Sequence, residues 1–215
     1  MTPVRRPSIA LLFSCLFGLA LGATQALAEP QGQTGKQSAA NYTQLVERAK
    51  KGDQTVDFVQ LREAFVAWTS DPKNQSDAPN RDAMVAAFEE NNYAKAVELA
   101  EVVLDYEFVN RGLHLAAEDA YRKLGNEKKA NFHRDIAAKL LKALLNTGDG
   151  KSAETAYRVM SVREEYIIMH ELGIEVSSQA LWSVNNKAFD VLSGTDPKTG
   201  KEIRVYFDIS SFFGR

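Results

Sequence analysis

Apolar residues recur at helical spacing through most of the chain and change to strict alternation near its end, which predicts helices followed by a small sheet. Tyr42 to Lys51 and Val56 to Trp68 read as two short amphipathic helices, the second carrying Phe58, Leu61, Phe65 and Trp68 at steps of three and four. Thr69 to Asn80, with Pro72, Pro79 and several Asn, Asp and Ser residues, reads as a loop. Arg81 to Leu145 is helical almost throughout, and Thr147-Gly148-Asp149-Gly150 ends that block. Ala156 to Met160 reads as a short strand. Ser161 with Glu164 three residues on predicts a capping box that opens a helix over Val162 to Leu172, stopped by Gly173. Val176 to Val184 and Lys187 to Ser193 flank Asn185-Asn186, a pair suited to the positive φ angles of a tight hairpin turn. Beyond a turn over Gly194 to Gly200, Ile203, Val205, Phe207 and Ile209 alternate with Arg204, Tyr206 and Asp208.

Within the helical block the chain matches itself at an offset of 34 residues: Ala83 falls on Ala117, Ala87 on Tyr121, Asn91 on Gly125 and Ala96 on Ala130. That period resembles the tetratricopeptide repeat, in which small residues let paired helices approach and Gly or Asn reverses the chain. Arg134 stands where Ala100 stands in the first unit, and no proline closes either one, so ordinary helical packing of the same period stays an alternative. The expected fold class is α+β, mostly helical. It consists of tetratricopeptide-like hairpins followed by a small antiparallel β-meander with one packed helix, which buries Tyr166, Met169 and the aliphatic row. His170 is expected in the packing between that helix and the sheet.

The N-terminus changes the picture. Arg5 and Arg6 precede an apolar stretch from Ile9 to Leu21, and Ala26-Leu27-Ala28 fits a small-x-small cleavage site. Residues 1–28 read as a signal peptide, 29–40 as a flexible linker, 41–148 as the helical repeat-like region and 149–215 as an α+β module. The expected location is periplasmic or secreted, with no membrane span after cleavage near Ala28. Cleavage takes the formal charge from −2 to −4 and removes Cys15, the only cysteine, leaving no disulfide, thiol nucleophile or cysteine ligand. The acidic balance argues against a nucleic-acid partner. The 45% apolar and 25% charged residues are ordinary for a globular domain.

Five features together resemble an uncharacterised bacterial exported-protein family, domain of unknown function 4919. They are the signal segment, the Asn41-Tyr42-Thr43-Gln44-Leu45 opening, the helical middle, Ser161-Val162-Arg163-Glu164-Glu165-Tyr166, and Val205-Tyr206-Phe207-Asp208-Ile209. The resemblance implies export from a bacterial cell and supplies no catalytic residue.

Candidate chemistry is sparse. His114, His133 and His170 show no metal-binding spacing, and no Gly-x-Ser-x-Gly motif is present. Thr199-Gly200-Lys201 lacks the upstream glycines of a phosphate loop and reads as a turn. No catalytic residue, cofactor or metal is assigned. If Asp190 lies opposite Tyr206, Asp208 falls diagonally on the same face, and the two acids form the basis of an alternative reading as a small envelope hydrolase or ligand-binding module centred on the sheet. The favoured reading is a non-catalytic scaffold for a protein or peptide. Its binding face carries Arg81, Phe88, Glu89, Leu115, Asp119, Arg122 and Lys123, with Val85 alongside, on the first helix of each repeat-like unit. An ordinary solvated face has the same composition.

Overall fold

The computed structural model describes residues 31–74 and 78–214. The expected signal peptide lies outside them. Residues Gln31–Arg215 form one compact unit. Helix α1 (Gln31–Lys50) buries Tyr42, Leu45, Val46 and Ala49 on one stripe. It begins ten residues before the fold start expected at Asn41, so residues 31–40, read from the sequence as linker, are helical in backbone. Gly52 at φ 79 turns the chain, and Asp57 caps α2 (Phe58–Thr69) by accepting from the Val59 and Gln60 N–H groups. A short 3-10 turn, Pro72–Asn74, leads to α3 (Ala78–Glu89), which starts inside the predicted loop with Pro79 in its first turn, where the missing N–H is not needed.

Helices α3 and α4 (Tyr93–Tyr106) form one hairpin, and α5 (Arg111–Lys123) and α6 (Glu127–Leu145) another. Their turns repeat at the 34-residue offset. Asn91 has φ 56 and Gly125 φ 73; the Asn92 side chain accepts from Lys95 N–H at 3.2 Å, and Asn126 accepts from Lys129 N–H at 3.1 Å; Ala96 and Ala130 are both buried. The equivalence fails at Ala83, which is exposed where Ala117 is fully buried. The α3 face that carries Ala83 meets water, because α3 buries Met84 and Ala87 instead.

Strands β1 (Tyr157–Arg158), β2 (Val176–Val184), β3 (Lys187–Thr195) and β4 (Glu202–Asp208) make one sheet in the order β1-β4-β3-β2. The meander β2-β3-β4 is antiparallel as expected, with Asn185 and Asn186 at φ 50 and 61 in its first turn, but β1 runs parallel to β4, so the sheet is mixed. Helix α7 (Val162–Glu171) packs on one face through Ile168 and Met169. Tyr166 and His170, expected in that contact, face solvent instead; Glu165 takes the inward position. In a ten-residue helix with four consecutive apolar residues, Tyr166 to Met169, periodicity does not determine the rotation.

Three apolar clusters share α6 as their spine. Ile136, Leu140 and Ala143 join α1 and α2; Ala130 joins α3, α4 and α5; Leu144 joins the sheet and α7. The Tyr42 hydroxyl ties α1 to the turn before α5 by donating to Tyr106 O at 3.0 Å and accepting from Phe108 N–H at 3.0 Å. Burial pushes its pKa well above the ordinary phenol value, in keeping with a fixed donor.

The matched turn chemistry makes a quantitative prediction. Asn92→Ala and Asn126→Ala should each cost about 1 kcal/mol, since each removes one cap at the same hairpin position. Urea unfolding of the two variants measures it, and a cost confined to one of them would contradict the equivalence of the two turns.

Candidate binding pocket

A cavity of about 460 Å³ opens where the helical array meets the sheet module. Its lining includes Arg62 and Phe65 from α2, Arg81 from α3, Glu107 and Val109 to Gly112 around the start of α5, and Met160 to Glu164 around the start of α7. Four arginines, Arg62, Arg81, Arg111 and Arg163, face two glutamates, Glu107 and Glu164.

Both glutamates are already engaged. Glu164 accepts from Arg62 Nη1 at 2.5 Å and Nη2 at 3.0 Å, and from Met160 N–H at 2.7 Å, while Arg62 Nη2 also donates to Arg158 O at 3.1 Å. This ion pair is nearly buried, with 5% and 13% of the two side chains exposed. The Glu164 carboxylate therefore reaches past Ser161 to Met160 and across to Arg62, and Ser161 makes no side-chain capping bond, so the expected capping box is not formed. Glu107 pairs with Arg81 and accepts from Asn110 Nδ2 at 3.0 Å.

Arg111 and Arg163 form no ion pair among the described residues, and Arg111 Nε is buried without a hydrogen-bond partner. They occupy the first turns of α5 and α7, whose N-termini both open on the cavity. Gly112 lies between the two termini; a Cβ there would make ordinary contacts, 3.4 Å from Asn110 Oδ1 and 3.6 Å from Arg163 Nη1. Phe65, Val109, Leu140, Leu144, Met160, Val162 and Ile167 give the cavity an apolar wall. Two uncompensated guanidiniums, two helix N-termini and an apolar wall suit an anionic group on an apolar body. The arrangement contains no nucleophile paired with a base.

Of the residues expected on a partner face, only Arg81 lines this cavity. Phe88 packs half-buried against the cluster around Met84. Glu89, Leu115, Asp119, Arg122 and Lys123 lie exposed on α3 and α5, and Arg122 pairs with Glu118 one turn back. Two further cavities, of about 260 and 550 Å³, are not lined by Phe88, Leu115 or Arg122 either.

The acid pair expected on the sheet is not assembled. Asp190 lies opposite Phe207, and Asp208 opposite Phe189, so the two carboxylates point to opposite faces. A register different by one residue reverses every side chain. Asp208 accepts from Lys187 Nζ at 3.0 Å. Asp190 is buried on the α7 side, accepts from Gln179 Nε2 at 2.9 Å, and faces Glu165, whose carboxyl oxygens are fully buried without hydrogen-bond partners. Sequence reasoning missed this pair because its signal, one acid in a helix and one in an apolar strand, is indistinguishable from two solvated positions.

A second polar cluster sits beside the 550 Å³ cavity. His114 Nε2 lies 2.8 Å from Phe108 O, so it carries the hydrogen that this carbonyl accepts. Burial drives His114 down to about 3, which keeps the ring neutral, and its Nδ1 lies 3.0 Å from His133 Nδ1. His133 Nε2 then faces Glu101 Oε1 at 3.6 Å. That imidazole, with Lys129 and Tyr121, holds Glu101 far below the usual carboxylate range. These contacts lace α4, α5 and α6 together. No group of three or more His, Cys, Asp or Glu side chains able to hold a metal ion occurs among the described residues. No helix there is long and apolar enough to cross a membrane.

Residues 33–214 match the model of a family described as Domain of unknown function (DUF4919). Among curated proteins and among solved structures, none matches the chain.

The buried acids carry a pH prediction. Burial, and then the Asp190 carboxylate, push Glu165 up to about 8 from an ordinary 4.5. The folded chain holds a proton that the unfolded chain releases, so this stabilisation is complete below about pH 4.5 and is lost as the pH rises to about 8. Glu165→Gln keeps the neutral form at every pH. In urea unfolding at pH 5 and pH 8, the wild type should lose on the order of 3 kcal/mol relative to the variant over that interval. Parallel pH profiles would contradict the assignment.

Proposed function

The chain belongs to the DUF4919 family, a domain of unknown function, and from its geometry we propose that it is a non-catalytic binding protein whose working site is the arginine-lined pocket. The observation that carries the proposal is the surplus of Arg111 and Arg163, left without ion partners among the described residues at two helix N-termini that share one cavity. The ligand class is a carboxylate or phosphate joined to an apolar group, presented by a partner protein or peptide or by a small amphiphile. This keeps the interaction role expected from the sequence but moves the surface from α3 and α5 to the pocket, with Arg81 common to both. The tetratricopeptide-like reading of the two hairpins fits such a role, supported by the repeated turn chemistry at Asn91 and Gly125. The basic, apolar and small-residue segment at the N-terminus supports placing the protein in the periplasm or outside the cell. The hydrolase alternative loses the acid pair on which it rested.

Calorimetric titration with hexanoate and hexyl phosphate, using hexanol as the neutral match, tests the reading. The two anions should bind and hexanol should not, with affinity falling as salt rises. The Arg111→Ala/Arg163→Ala variant should lose affinity by at least about tenfold, since each guanidinium supplies a charge-assisted hydrogen bond. Equal binding of hexanol, or an unchanged affinity in the variant, would overturn it.

A further inference from the structure

The open edge of the sheet is β2, and it lacks the charged residues and prolines that ordinarily protect such an edge. No charged residue and no proline occurs between Val176 and Asn186, in a chain of which 25% is charged. The register irregularity lies at its start, between Val176 and Ser178, and the remainder pairs regularly with β3. Apolar side chains project from both sides of this edge. Leu181, opposite Asp190, lies on the face that carries α7 and is 53% exposed. Trp182 and Val184 lie on the other face, 43% and 39% exposed, and Trp182 meets Tyr206 edge-to-face at 5.7 Å. Beneath those two rings Phe189 and Val191 are already buried, so the open face is apolar back to β4.

We propose that β2 is a self-association surface, on which a second copy of this chain adds its own β2 antiparallel about a two-fold axis at Ala180. The strand suits itself as a partner. Pairing about Ala180 sets Trp182 opposite Ser178 and Leu181 opposite Gln179, so each large side chain meets a smaller or equal one and no like charges meet. The pairing satisfies the outward backbone groups of both copies and makes one continuous sheet. It is isologous, as closed two-fold dimers require. A nine-residue strand offers an edge of roughly 30 Å, which places the contact at the small end of specific interfaces, so the dimer should form and dissociate with concentration rather than be permanent.

The test uses the chain as isolated from the producing cell, with its mass measured by light scattering from about 1 µM to about 500 µM. The mass should rise toward twice the monomer value, and Leu181→Lys, an exposed substitution that leaves the ladder to β3 intact, should weaken association more than tenfold. In a Cys15→Ser background, Ala180→Cys should cross-link to itself under mild oxidation, because a two-fold axis brings this one position within disulfide reach of its copy; Thr199→Cys, in the turn before β4, should not. A chain that stays monomeric across the range would overturn the proposal and leave the edge to a strand of a different protein. A dimer that ignores Leu181→Lys, or that cross-links equally through Thr199→Cys, would overturn it as well.

Discussion

The ion pair between Arg62 and Glu164 holds the two parts of this protein in register. It joins residues 102 positions apart, one on the second helix of the array and one on the helix that covers the sheet. Two charges withdrawn from water to this degree are tolerable only with their remaining hydrogen-bonding capacity met, and here the Arg158 carbonyl and the Met160 amide meet it. Loss of one partner would leave the other charged and enclosed, so α2, β1 and the start of α7 hold together as a group. The pocket exists because of this constraint: it fixes the α7 N-terminus next to the α5 N-terminus and consumes the carboxylate that would otherwise neutralise the nearby arginines.

Packing supports the same arrangement from behind. Helix α6 contributes to all three apolar clusters, and the Tyr42 hydroxyl fixes the turn that leads into α5. With polar groups so widely satisfied, the exceptions are informative. Arg111 lines the cavity while its Nε is buried without a hydrogen-bond partner. The Glu165 oxygens lie beneath α7 and fit a carboxyl that stays protonated beside Asp190.

Local chemistry was legible in the sequence wherever one residue type answers to one backbone state. Asn91, Asn185, Asn186, Gly173 and Gly200 all adopt the positive φ expected of turns and helix stops, and the elements between them follow. Faces and registers were harder to read. The two-residue turn at Asn185-Asn186 dictates the pairing of β2 with β3, but the longer connection before β4 leaves that pairing free by one residue, which separated Asp190 from Asp208. The rotation of α7 was equally open, and Glu165 took the place expected of Tyr166. The pocket was not legible at all, because its arginines lie on four elements and look like solvated positions until the fold gathers them. Ser161 to Glu164, singled out as part of the family resemblance, turned out to form one of its walls.

The most direct measurement of the central claim is a nitrogen-proton correlation spectrum of the labelled protein, including arginine Nε–H signals, recorded while phenyl phosphate is added. The account predicts saturable shifts at Arg111 and Arg163 and at the backbone amides of Gly112 and Val162, with the signals of exposed α3 and α5 positions outside the pocket, such as Glu89 and Asp119, unmoved. Shifts spread over exposed lysines and arginines, or centred on the α3 and α5 face, would contradict it.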